Sequence, residues 1–221
     1  MTPIHEDILI REKKNVVQPE YDMNTETSGA RNETGLVHAL NTHTAGAVLM
    51  MELPSEQYFT ANVSSIKVLT DTGYEGVYVS FQRPFVNIFS LFQKQGINVD
   101  KLLIIDGATA CSEGFQEENP RCDRISSSMD LTMLIQTICL SLSRLTSRER
   151  FVCIDSLSTM ALYEPFSDPF KVSELLVQMV RKQGFDHVTF ILNVSEDLSQ
   201  KRFFKDVARY ADEFIHVGVC T

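Results

Sequence analysis

Phe151-Val152-Cys153-Ile154-Asp155-Ser156-Leu157-Ser158-Thr159 decides the fold. Four apolar residues without polar alternation read as a strand buried on both faces, which is what a parallel sheet covered by helices on each side demands. The strand ends in a carboxylate, and small hydroxyl residues follow it. A strand-end Asp either caps the next turn through its oxygens or holds a cation. The neighbouring hydroxyls favour capping for Asp155, with Ser156, Ser158 and Thr159 as turn and cap residues.

The same pattern repeats outward in both directions. Ala47 to Met51, Gly76 to Phe81, Leu102 to Asp106, Val188 to Val194 and Phe214 to Val219 are further apolar runs of strand length. Between them lie segments with helical spacing. Residues 56–71 carry Phe59, Val63, Ile66 and Leu69 on one face and stop at Gly73. Pro84 opens a helix with Phe85, Ile88, Phe89 and Phe92 on one side, ending at Gly96. Serines 126–128 offer an N-cap for a helix bearing Leu131, Leu134, Ile135, Ile138, Leu142 and Leu145. Helices are also expected at 170–183 and 197–210, and a long polar loop at 107–124. Six strands alternating with amphipathic helices predict one α/β domain: a mostly parallel central sheet with helices on both faces. That domain is expected over residues 36–221. Residues 1–35 read as a polar, mobile tail whose apolar content is too small to offset ordering.

Composition narrows the function classes. The 221 residues carry a formal charge of −9 and are 43% hydrophobic. An acidic surface disfavours nucleic acid and anionic membranes, both polyanions. No apolar run is long enough to span a bilayer, and the N-terminus lacks the basic and apolar regions of a signal peptide. Cys139, Cys153 and Cys220 sit inside apolar runs, and Cys111 and Cys122 lie in a polar loop without a nearby His. Reduced core thiols in a cytoplasmic protein fit this count better than disulfides or a metal site.

Three stretches together resemble the RecA/KaiC-like ATPases over roughly residues 40–221. Gly-Val-Tyr-Val-Ser-Phe at 76–81 is similar to the family's second strand. Cys-Ile-Asp-Ser-Leu-Ser at 153–158 resembles its Walker B segment, and Ala-Asp-Glu-Phe-Ile at 211–215 its closing strand. The resemblance implies a RecA-like fold, and for active members a phosphate loop, ATP and magnesium.

The residues needed for that chemistry are altered. The phosphate-cradling pattern Gly-x-x-x-x-Gly-Lys-Ser/Thr occurs nowhere in the chain. After the first strand come Glu52-Leu53-Pro54-Ser55-Glu56-Gln57-Tyr58-Phe59-Thr60. No Gly permits close backbone approach, and Pro54 lacks an N–H. Glu52 and Glu56 put negative charge where a triphosphate would sit. Like charges about 4–6 Å apart repel by on the order of 2–4 kcal/mol at an effective dielectric near 20. Thr60 could stand in for the magnesium-binding hydroxyl, but Lys67 is about two turns away along the helix. Gln82 follows the second strand where the family places an acid, and it is a poorer base.

The degenerate nucleotide site therefore comprises Glu52, Pro54, Thr60, Gln82, Asp155 and Ser156. No catalytic residue, metal ligand or cofactor is expected. The reading is a non-catalytic RecA/KaiC-like module, regulatory or partner-binding, that meets a protein partner or itself. The alternative is an atypical ATPase using ATP and magnesium, completed by a neighbour's Arg83 or Arg124.

Overall fold

The computed structural model describes residues 46–109, 119–125, 130–162, 187–199 and 201–217, with positions 38, 42, 168, 171, 172 and 175. Strands β1 (Val48–Leu53), β2 (Glu75–Ser80), β3 (Leu102–Asp106), β4 (Cys122–Arg124), β5 (Arg150–Asp155), β6 (Val188–Ser195) and β7 (Glu213–His216) form one sheet. Its order is β4-β3-β2-β5-β6-β1-β7, and every pairing is parallel. Helices whose bounds lie among the described residues are α1 (Tyr58–Asp71), α2 (Phe85–Lys94), α3 (Leu131–Ser143), α4 (Leu157–Met160), α5 (Glu196–Ser199) and α6 (Arg202–Ala208).

Both faces of the sheet are covered, as the unalternated strands require. One face packs Val48, Met50, Val152, Ile154 and Phe190 under α3, α4 and α6, with Val172 and Leu175. The other packs Leu49, Met51, Tyr78, Phe151 and Cys153 under α1 and α2. All six residues of β1 are buried. Helix α1 ends before Gly73, whose φ of 103° is a left-handed conformation that glycine adopts without steric cost.

Several boundaries differ from the sequence expectation. The 107–124 segment contains β4, which pairs Ile104 with Cys122 through Asp106 with Arg124. Its three residues carry two charges, so no apolar run announced it. Helix α3 is capped by Asp130, whose carboxylate accepts from the Met133 amide at 2.9 Å; serines 126–128 lie outside the described residues. The helix expected at 197–210 is two pieces, α5 and α6, with Lys201 capping the second. Most of 170–183, the expected tail 1–35 and positions 218–219 also lie outside the described residues.

Candidate functional site

The carboxyl ends of β1, β5 and β6 are neighbours, and α1 begins there. β1 continues through Glu52 and Leu53, so the connection to α1 is only Pro54 and a single 3-10 turn, Ser55–Gln57. In that turn the Gln57 amide donates to the Pro54 carbonyl at 3.1 Å. Tyr58 then enters as the first residue of α1, buried against the sheet.

The Tyr58 hydroxyl donates to Asp155 Oδ1 at 2.7 Å. From the middle of β2, the Tyr78 hydroxyl donates to Asp155 Oδ2. Both carboxylate oxygens are thus held by phenols, and Asp155 is 1% exposed. The network continues inward. Asn62, one turn after Tyr58, donates to the Tyr78 hydroxyl at 2.6 Å. Asn193 of β6 donates to Asn62 Oδ1 at 2.9 Å and approaches Cys153 Sγ at 3.5 Å. The Asp155–Ser156 peptide is cis.

Burial sets the electrostatics of this cluster. It pushes the Asp155 carboxyl above the ordinary carboxylate range, against the pull of the Tyr78 and Tyr58 hydroxyls and of Arg83. Burial first, and then the Asp155 charge, push both phenols well above their ordinary value. The Cys153 thiol moves up for the same two reasons. Among the described residues no Lys, Arg or His forms an ion pair with Asp155.

Asp155 therefore does not cap. Ser156 does that work at α4, its Oγ accepting from the Thr159 amide at 3.0 Å. Gln82 donates to the same Oγ at 2.9 Å, so Gln82, Ser156 and Asp155 do come together. Asp106, equally ambiguous in sequence, is a cap: it accepts from the amides of Phe85, Ala108 and Thr109. Glu52 lies elsewhere, buried in β1 with its carboxylate on His216 of β7. Thr60 is exposed on α1, whereas Asp155 is buried. Lys67 is paired with Asp71 at 2.9 Å. Arg83 is exposed, its guanidinium 4.0 Å from the Phe59 ring centroid.

Beside the 3-10 turn opens a cavity of about 550 Å³, lined by Pro54, Ser55, Glu56, Gln57, Glu196 and Asp197. The Ser195 and Ser55 hydroxyls hold the Asp197 carboxyl below its usual range. Three of its six lining residues are acidic and none is basic, which repels a triphosphate. With Tyr58 on the strand-end carboxylate as well, these residues do not fit magnesium–ATP. Among the described residues, no three His, Cys, Asp or Glu side chains gather as a metal-ligand set, and no helix is long and apolar enough to cross a membrane.

Sequence reasoning missed Tyr58, Asn62, Tyr78 and Asn193. A signal existed for two of them: Tyr78 and Asn193 are hydrogen-bonding residues inside otherwise apolar strands. A buried polar group needs a partner, so each implied another.

No family model matches the chain, and no curated protein does. Solved structures do. An uncharacterised protein of Pyrococcus horikoshii, crystallised with an unknown peptide, matches with a TM-score of 0.61 at 13% identity, over 86% of this chain and 84% of that one. A second P. horikoshii protein matches at 0.54 and 10% identity, over 83% and 88%. A KaiC-like protein of the same organism gives 0.49 at 16% identity, over 78% and 71%. At these identities the first two likenesses are likenesses of fold: a single parallel α/β domain shared over most of each chain.

Proposed function

We propose that this chain is a non-catalytic member of the RecA/KaiC-like group that works as a partner-binding or regulatory module. One observation carries the reading: both oxygens of the strand-end Asp155 are occupied by Tyr58 and Tyr78. Tyr58 reaches that position because a short proline turn stands where a phosphate loop would need eight residues and two glycines. The carboxylates of Glu56, Glu196 and Asp197 add repulsion at the same place.

The partner in this reading is a polypeptide, either another protein or a second copy. A structural neighbour crystallised with a peptide supports it, as does the acidic balance of −9, which disfavours nucleic acid. The rival reading, an ATPase completed by a neighbour's arginine, would still need Asp155 open to a ligand, and Tyr58 stands against it.

Calorimetric titration with magnesium–ATP, together with a phosphate-release assay, tests the proposal. No saturable binding and no turnover are expected. Turnover that disappears in Asp155→Asn would overturn it. Light scattering then separates a monomer that needs another protein from a self-assembling chain.

A further inference from the structure

Asn62 and Asn193 each open an Asn-x-Ser pattern, Asn62-Val63-Ser64 and Asn193-Val194-Ser195. Neither middle residue is proline, so both are acceptor sequences for N-linked sugar, a modification that belongs on surface loops. A third pattern, Asn32-Glu33-Thr34, lies outside the described residues. The two acceptors in the domain are 131 residues apart in the chain and meet at one bond, where Asn193 Nδ2 donates to Asn62 Oδ1 at 2.9 Å. Asn62 Nδ2 in turn donates to the Tyr78 hydroxyl at 2.6 Å, and Asn193 Nδ2 also faces Cys153 Sγ at 3.5 Å. Asn62 is 0% exposed and Asn193 1%.

The sugar would be attached to these same nitrogens. In the transfer, an oligosaccharide leaves a lipid-phosphate carrier. The bond from its anomeric carbon to the phosphate oxygen breaks, a bond from that carbon to Nδ2 forms, and Nδ2 gives up one proton. A buried Nδ2 cannot be reached, so the reaction needs a chain still unfolded at the acceptor. Once made, the bond leaves a bulky polar ring on an atom that the fold surrounds with Tyr78, Cys153 and the partner amide. Interiors are packed to crystal-like density and hold no void for such a ring. Its hydroxyls would also be buried without partners. Modification and folding therefore exclude one another at both positions.

We propose that the Asn62–Asn193 pair makes this fold incompatible with N-glycosylation: the chain folds only where the lipid-linked sugar donor does not meet it, and transfer to either asparagine traps it unfolded. Either transfer suffices, so a chain escapes only when both fail. The inference rests on the two buried amides and not on the partner-binding reading, which nucleotide titration tests separately.

The full chain, carrying an added secretory leader, is translated in a cell-free system with and without glycosylation-competent microsomes. Mass spectrometry after enzymatic sugar removal, which converts each modified Asn to Asp, assigns the sites. Chains made without membranes are expected to yield a protease-resistant core within residues 46–217. Chains inside the microsomes are expected to carry sugar at Asn62, Asn193 or both, and every chain so modified is expected to lack that core. A competing acceptor tripeptide, which blocks transfer and leaves the sequence unchanged, should restore it. Ser64→Ala with Ser195→Ala removes both acceptor patterns and keeps both asparagines, so it should restore the core as well. Ser64 is exposed, whereas the Ser195 hydroxyl donates to Asp197 at 2.6 Å, and the same variant made without membranes checks that it folds. A protease-resistant core bearing sugar at Asn62 or Asn193 would overturn the proposal. So would a core formed inside the microsomes with both asparagines unmodified and no competitor present. A core that stays absent when the competitor has kept both unmodified would overturn it too.

Discussion

Asp155 is served by two tyrosines that have unequal worth. Tyr78 has no water to replace it: removing its hydroxyl leaves Asp155 Oδ2 and Asn62 Nδ2 both unpaired in the core. An unsatisfied buried polar group costs about 1–3 kcal/mol, more when charged. Tyr58 lies nearer the surface, 9% exposed against 0% for Tyr78, and its hydroxyl serves Asp155 Oδ1 without also accepting from Asn62. Tyr78→Phe should therefore destabilise by about 2–4 kcal/mol and Tyr58→Phe by about 1 kcal/mol, read as urea midpoints at constant m-value. Equal losses would contradict the assigned depths. A second expectation concerns charge. The folded chain holds the Asp155 proton more tightly than the unfolded chain does. Its contribution to stability is thus most favourable below the unfolded carboxyl pKa of about 4, and it declines as pH rises through the elevated folded value. Asp155→Asn keeps the shape and removes the titration. The stability difference between variant and wild type should shift in favour of Asn from pH 5 to pH 8. A shift toward Asp would show that the phenols outweigh burial.

Strand β2 is the element on which the central sheet is registered, since it pairs with β3 on one side and β5 on the other. Its second residue, Gly76, lies against the Phe151 ring of β5: a Cβ there would overlap the ring atoms. Phe151 is fully buried, so the ring has little room to retreat. Gly76→Ala should cost about 1–3 kcal/mol through overpacking, although Ala is the better strand residue by backbone entropy. Gly76→Ala with Phe151→Leu should recover part of that loss, and thermal unfolding of both variants checks it. A neutral Gly76→Ala would mean that β2 and β5 shift apart freely. At this scale the sequence was legible where elements are long and periodic. Six of the seven strands were apolar runs, and α1 and α2 had visible faces and stops. The rest was hidden by local chemistry: β4 is three residues with two charges, and Asp130 caps α3 from a position that its serine neighbours obscured.

At the scale of the whole molecule, the sheet order explains why the site was harder to read than the fold. β1 lies beside β6 and β7, far along the chain, and β5 lies beside β2. Tyr58 and Asp155 are 97 residues apart, and Asn62 and Asn193 are 131 apart. Spacing along a chain carries no trace of such pairs. That no Gly-x-x-x-x-Gly-Lys-Ser/Thr pattern occurs was visible in the sequence, whereas the bond from Tyr58 to Asp155 was visible only once the strands were stacked. The same order makes a statement about the N-terminal residues. Among the described residues every strand lies within Val48–His216, and both apolar clusters are built from Ala47 onward. The prediction is that residues 1–35 are not needed to complete this sheet or these two cores. Deleting them should change the thermal midpoint by less than about 2 °C, below the shift that 1 kcal/mol produces in a domain of this size. If these residues do complete the fold, the midpoint will drop by several degrees and the shortened chain will expose apolar surface to a reporter dye. That outcome would place the domain boundary ahead of residue 36 and make the polar segment part of the packed unit.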